Sequence, residues 1–228
     1  MVTAFSDVCF VVTCKGRLAS LRQTLPVLVR QRGGRVVVVD YDCPDGAGNW
    51  AETLGCVVVR VRDEPVFHLN RARNLGAAAA GGLGSRLLCF IDVDTLVVDG
   101  FVDILLAMAS PDRFLCFRKR RGNGGLGGLL AVPADSLAAA GGYDERYEGY
   151  GRNAADMRLA LYYRGLDYRF LPDNAADHIP HGNRTEYYRV KDWAESKRMN
   201  EPYLLEKIQR WQAATGKQPP ADLWNRVT

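Results

Sequence analysis

Leu87-Leu88-Cys89-Phe90-Ile91-Asp92-Val93-Asp94-Thr95-Leu96-Val97-Val98 is an apolar run of strand length that stops at two carboxylates and then turns apolar again. Side chains alternate along an extended backbone, so Asp92 and Asp94 are expected on one side of it. Two carboxylates close together at a buried strand end repel each other and resist ionisation. A divalent cation relieves that repulsion, and a hard metal carrying a phosphorylated ligand suits such a place. The plainer alternative is a strand that leaves the core with two acids in its turn, because a short D-x-D motif arises easily by chance. The pattern on either side of the stretch weighs against that alternative.

Upstream, Val8–Thr13 reads as a buried strand followed by the polar turn Cys14-Lys15-Gly16-Arg17. Leu18, Leu21, Leu25 and Leu28 have helical spacing, and Gly33-Gly34 stops that helix. Val36–Val39 is a second buried strand, ending in Asp40-Tyr41-Asp42-Cys43-Pro44-Asp45-Gly46. Trp50–Leu54 reads as a short helix, Cys56–Val61 as a third strand, and alanine-rich Asn70–Ala80 as a helix closed by Gly81-Gly82. This β-α-β-α-β-α-β alternation predicts an α/β protein with a mostly parallel central sheet covered by helices on both faces. Ligands in such sheets bind at the carboxyl ends of the strands. Lys15, Arg17, Asp40, Asp42, Arg71, Asp92 and Asp94 are therefore expected to converge on one crevice. The sequence has no G-x-G-x-x-G after its first strand and no G-x-x-x-x-G-K-[ST], which weakens dinucleotide-dehydrogenase and P-loop readings.

Downstream, Phe101–Ala109 reads as a helix, Phe114–Phe117 as a strand, and Gly122–Gly128 as a glycine-rich loop feeding the run Leu129–Val132. A short helix over Ala134–Ala140 precedes a turn-like cluster at Gly141–Gly151. A further helix spans Asn153–Arg164, with Asn153 in a cap-like place. The tail from Asp192 is amphipathic and aromatic, with Trp193, Tyr203, Trp211 and Trp224. The expected organisation is one domain over 1–190 with a C-terminal helical extension over 191–228 packed on it.

Composition limits the classes of function. Apolar residues make up 47% of the 228, charged residues 25%, and the net charge of +4 is mild. Nucleic-acid binding calls for a denser basic stripe with interleaved aromatics, and only Arg118-Lys119-Arg120-Arg121 approaches one. Six cysteines lack C-x-x-C spacing, which suits free thiols in a reducing compartment rather than structural zinc. The apolar run Val8–Val12 is too short for a signal peptide, and no stretch reaches the length of a bilayer span. The expectation is a cytoplasmic protein without a transmembrane segment or a nucleic-acid partner.

Several segments, in order, resemble GT-A fold glycosyltransferases, near the bacterial family 2 enzymes and the branch related to β-1,4-galactosyltransferases. They are Val11–Arg17, Val38–Gly46, Asn70–Gly76, Phe90–Asp94, Gly127–Ala131, Gly142–Gly151 and His178-Ile179-Pro180-His181. The resemblance implies a Rossmann-like GT-A fold and transfer of a sugar from a nucleoside diphosphate, most often UDP. The acceptor would be the hydroxyl or another nucleophile of a carbohydrate, natural product or peptide. It implies that Thr13, Lys15, Arg17, Asp40, Asp42, Arg71, Asp92 and Val93 hold the nucleotide, the cationic members pairing with the diphosphate. Asp94, His178 and His181 would hold the metal, with Asp92 facing the ribose or the metal. Carboxylate plus imidazole suits manganese, with magnesium the alternative. Asp177 would orient one imidazole. Tyr147 and Tyr150, with Gly127 and Gly128, would lie on the acceptor side, although tyrosines in a glycine-rich turn also serve as packing.

One departure matters. Inverting members carry a Glu-Asp pair after the segment matching Gly149-Tyr150-Gly151, and one of its acids is the general base. Here Asn153 and Ala154 stand in that place, followed by Ala155 and Asp156. General-base assistance is worth about 10²–10⁴ in rate. Four explanations fit. Asp156, Glu148 or Asp144 acts as a displaced base, or the acceptor is acidic enough to need none. Otherwise the enzyme is retaining, or the protein is an inactive binder of nucleotide sugars. An inverting transferase with a displaced base is the leading expectation, although Asp156, two residues beyond Ala154, faces another side of a helix. A nucleotidyltransferase is the rival from another class, but it wants a glycine-rich basic grip for a triphosphate where this chain offers only Lys15-Gly16-Arg17.

Overall fold

A computed structural model describes residues 5–118, 126–180, 182 and 185–224. Strands β1 (Val8–Cys14), β2 (Gly34–Tyr41) and β3 (Val57–Val61) alternate with helices α1 (Leu18–Val29), α2 (Ala47–Thr53) and α3 (Leu69–Gly82), and β4 (Leu87–Asp92) follows. Then come β5 (Thr95–Val97), α4 (Phe101–Met108), β6 (Arg113–Cys116), a 3₁₀ turn at Leu126–Gly128 and β7 (Leu130–Pro133). The chain continues through α5 (Ala134–Ala139), α6 (Asn153–Tyr163), β8 (Asp167–Phe170), β9 (Ala176–His178), α7 (Trp193–Thr215) and α8 (Ala221–Trp224).

Seven strands form one sheet in the order β3-β2-β1-β4-β7-β6-β8. Its β1–β2, β1–β4, β2–β3 and β6–β8 pairs are parallel, and β7 runs antiparallel to both its neighbours. The α/β class, the mostly parallel sheet, the helices on both faces and the C-terminal helix thus match the expectation. β1 explains the unbroken apolar runs. Val8, Phe10, Val12 and Cys14 pack in a core with Leu21, Leu25 and Leu28 of α1 and Phe101 of α4, whereas Cys9 and Val11 join a second core with residues of α6 and α7. A strand buried on both faces needs apolar residues at every position, not at alternate ones.

Two local expectations are corrected. Asp92 ends β4, and Val93-Asp94 is a turn before β5, which leaves the main sheet and pairs antiparallel with β9. Asp92 and Asp94 therefore do not share one extended strand. Hydrogen bonding to β9 redirects the backbone, and no local pattern announces a partner so distant in sequence. Nor is Asn153 the cap of α6: Arg152 holds that place in a left-handed conformation (φ 68°) without a side-chain cap, and Asn153 is the first helical residue.

The C-terminal helices are part of the interior. Leu204 and Ile208 of α7 and Leu223 of α8 are buried in the same core as Phe90, Met157 and Leu161. Among the described residues no helix is long and apolar enough to cross a membrane.

Candidate active site

The chain runs outward from β1 through β2 to β3, then returns to place β4 on the other side of β1. Between the carboxyl ends of β1 and β4 the loops diverge, which makes a crevice where sheets of this kind take ligands. A cleft of about 100 Å³ opens there. Thr13, Lys15 and Arg17 line it from the end of β1, Asp92, Val93 and Asp94 from the end of β4, and His178 from β9. Phe67, Leu69, Tyr150, Tyr187 and Tyr188 complete the wall.

Asp94 and His178 meet through strand register. Thr95 pairs with His178 between β5 and β9, and the Ile179 N–H donates to the Asp94 carbonyl at 2.8 Å. This brings His178 Nε2 to 3.5 Å from Asp94 Oδ2, with both side chains largely buried. Asp92 is held differently. The buried Arg73 guanidinium donates to Asp92 Oδ1 at 2.9 Å and stacks over the Tyr143 ring at 5.0 Å. A Cβ on Gly128 would lie 2.0 Å from Asp92 Oδ2, so only glycine lets the backbone approach this carboxylate.

Lys15 lines the cleft, but its ammonium turns toward the protein. It donates to the carbonyls of Tyr41, Asp42 and Glu64 at 3.1, 2.7 and 2.9 Å, and lies 3.6 Å from Asp42 Oδ2. The Tyr187 ring lies over this turn, its centroid 5.7 Å from Lys15 Nζ, and a Cβ on Gly16 would fall 2.2 Å from it. The Phe67 N–H donates to the Tyr187 carbonyl at 2.7 Å, tying this segment across the mouth.

Other expected site residues lie outside this lining. Asp40 is buried against α2, where Oδ1 accepts the Cys43 N–H at 2.9 Å and Oδ2 lies against Gly48. Asp42 sits on the outer side of Lys15 with φ 48°. Arg71 pairs with Glu64 at 2.5 Å. Tyr147 is a core residue, and its hydroxyl donates to Asp156 Oδ1 at 3.0 Å. Gly127 offers its carbonyl to Arg158. His181 lies outside the described residues, as do Lys119, Arg120 and Arg121.

The three candidate bases are engaged elsewhere. Lys207 of α7 reaches both Asp144 (2.9 Å) and Asp156 (2.6 Å). Burial pushes the Asp156 carboxyl above its usual range, although the Lys207 ammonium opposes this. Asp144 stays well below the usual range: burial raises it, but hydrogen bonds from Arg146, Tyr203 and Lys207 outweigh that effect. Glu148 pairs with the exposed Arg189 at 3.2 Å. A buried carboxylate locked in an ion pair cannot approach an acceptor without breaking that pair, so Asp144 and Asp156 read as ties between α6, its preceding loop and α7.

Residues not singled out from the sequence for this site are Phe67, Leu69, Tyr187 and Tyr188. The aromatic doublet Tyr187-Tyr188 just beyond the second histidine was a visible signal. The N-R-A-R-N segment of α3 also has a framework part. Asn74 Nδ2 donates to the Tyr143 carbonyl at 2.9 Å, the Tyr143 N–H returns to Asn74 Oδ1 at 2.8 Å, and Asn70 Nδ2 donates to the Asp144 carbonyl at 2.6 Å.

Asp94 and His178 fit a first-row divalent cation in donor type, and their 3.5 Å separation suits neighbouring positions around one ion. Among the described residues no group of three His, Cys, Asp or Glu side chains surrounds a single point.

No protein-family model matches the chain, and no curated protein matches it in sequence. Solved structures do match. A mutant of Drosophila β-1,4-galactosyltransferase 7, in complex with manganese, UDP-Gal and xylobiose, aligns with TM-score 0.58 at 17% identity, over 83% of this chain and 78% of its own. S. aureus TarS aligns with TM-score 0.62 at 12% identity, over 91% and 72%. GalNAc-T7 with UDP, GalNAc and Mn2+ gives 0.66 at 11%, over 98% and 57%. At these identities the likeness is one of fold, and the fold is GT-A.

Proposed function

We propose that the protein is a metal-dependent glycosyltransferase taking a nucleoside diphosphate sugar, with UDP as the nucleotide. The observation that carries this reading is the Asp94–His178 pair at the mouth of the β1/β4 crevice, on a GT-A sheet. Asp94 and His178 would hold manganese or magnesium, with phosphate oxygens and water filling its other positions. Bound there, the ion would neutralise charge on the departing diphosphate. Arg17 would approach the diphosphate from the β1 turn, and Thr13 and Asp92 would line the nucleotide. Lys15, clamped by three carbonyls, would position the turn rather than grip phosphate. Tyr150 would contact the acceptor from the other wall.

Support for the donor side comes from solved relatives in fold that carry UDP or UDP-Gal with manganese. A second reading, a nucleotide-sugar binder without turnover, is favoured by the engagement of Asp144 and Asp156 with Lys207 and by Asn153-Ala154. Calorimetry with UDP, with and without manganese, tests the site. Binding should require the metal and weaken at least tenfold in Asp94→Asn and in His178→Ala, and metal-independent binding unchanged in both variants would overturn the assignment. A UDP-sugar hydrolysis assay then separates the readings, since turnover supports the transferase and tight binding without turnover the binder.

A further inference from the structure

We propose that Cys14 and Cys43 form a reversible disulfide, a modification site at the rim of the cleft that acts on the Lys15-Gly16-Arg17 turn. Cys14, buried, ends β1, and Cys43, half-buried, follows β2. Their sulfurs lie 3.8 Å apart as free thiols. A disulfide bond is about 2.05 Å long, so the sulfurs need approach by less than about 2 Å. Cys43 Sγ also accepts the Gly16 N–H at 3.0 Å and donates to Asp45 Oδ1 at 2.9 Å. The other oxygen of Asp45 accepts the Leu18 N–H at 2.7 Å where α1 begins. One thiol thus organises the turn whose Lys15 and Arg17 line the cleft.

The two thiols are unequal. The contact from Cys14 holds Cys43 below the ordinary thiol range, whereas Cys14 is pushed up by Cys43 and by burial. Burial raises the other four thiols, Cys9, Cys56, Cys89 and Cys116. Cys43 is therefore the attacking thiolate and Cys14 the resolving thiol. The oxidant is a small-molecule disulfide. Cys43 attacks one of its sulfurs, forming a mixed disulfide and releasing one thiolate. Cys14 then loses its proton and attacks Cys43 Sγ, releasing the second thiolate. Two protein thiols are oxidised and one external disulfide is reduced to two thiols. Cys43 then has no hydrogen for Asp45, and Gly16 donates to a weaker acceptor, so the turn loosens.

The test is incubation of the full chain in graded oxidised and reduced glutathione, followed by intact mass, peptide mapping without reduction, and hydrogen exchange. The expected result is loss of two hydrogens, a Cys14–Cys43 cross-linked peptide reversed by dithiothreitol, and several-fold faster exchange across the Gly16–Leu18 amides. Cys43→Ser and Cys14→Ala should each abolish the cross-link, and Cys56→Ser should leave it unchanged. A stable glutathione adduct at Cys43 without the cross-link, a cross-link through other cysteines, or unchanged exchange after oxidation would each overturn the proposal. If the variants fail to fold, the wild-type map alone decides. No nucleotide enters these measurements, so failure of the donor-site reading leaves them intact.

Discussion

Gly76 has no side chain because the sheet leaves no room for one. A Cβ there would sit 2.3 Å from Val11 Cγ1 and 3.0 Å from Val39 Cγ2, both in the rigid centre of the sheet. Alanine would gain up to about 1 kcal/mol in helix propensity, but overpacking costs about 1–3 kcal/mol. Gly76→Ala should therefore lower stability by up to about 2 kcal/mol in denaturant unfolding once the full propensity gain is subtracted. At Lys207 the decisive quantity is charge. The ammonium separates Asp144 from Asp156 and lies 5.2–5.6 Å from the rings of Tyr147, Tyr203 and Trp211. Lys207→Met leaves the buried Asp156 without a cation, whereas Asp144 keeps Arg146, and should cost about 3–5 kcal/mol at neutral pH. Asp156 has a raised folded pKa, so its charge opposes folding above the unfolded value and the opposition disappears as it protonates. Asp144 has a depressed one, so its stabilising contribution is present above the unfolded value and is lost as pH falls through the folded value. The variant's deficit should accordingly be largest near pH 7 and shrink toward pH 4, as read from urea midpoints across that range.

Elements built from local runs were legible. The apolar strands and the leucine-spaced α1 emerged from composition and period, because burial on both faces leaves little choice of residue. Elements that exist only through distant pairing were not. The three residues of β5 continued an apolar run and gave no hint of leaving the sheet, and β9 is too short for a period. The site was legible to the same degree. Thr13, Lys15, Arg17 and Asp92–Asp94 follow from strand ends, but the actual partners of Lys15 and Asp40 are backbone groups that sequence does not advertise. α7 bears on the division into 1–190 and 191–228. Leu204 and Ile208 of α7 share a core with Phe90 at the centre of the sheet. A chain ending at residue 190 would expose that core and should show no cooperative thermal transition by near-ultraviolet circular dichroism. A sharp transition close to that of the whole chain would instead establish the extension as dispensable.

Across the whole molecule, a sheet whose first four strands share a direction is a problem in long-range closure, and such topologies fold slowly. Register between β5 and β9 is a long-range contact with a consequence for chemistry, since His178 lies 84 residues beyond Asp94. During synthesis at about 5–20 residues per second, the aspartate is incorporated about 4–17 s before its histidine. If Asp94 and His178 hold a metal as proposed, a nascent chain has no complete ion-binding pair until β9 docks, and the half-made site would not capture metal prematurely. Manganese affinity would then serve as a natural certificate of finished folding.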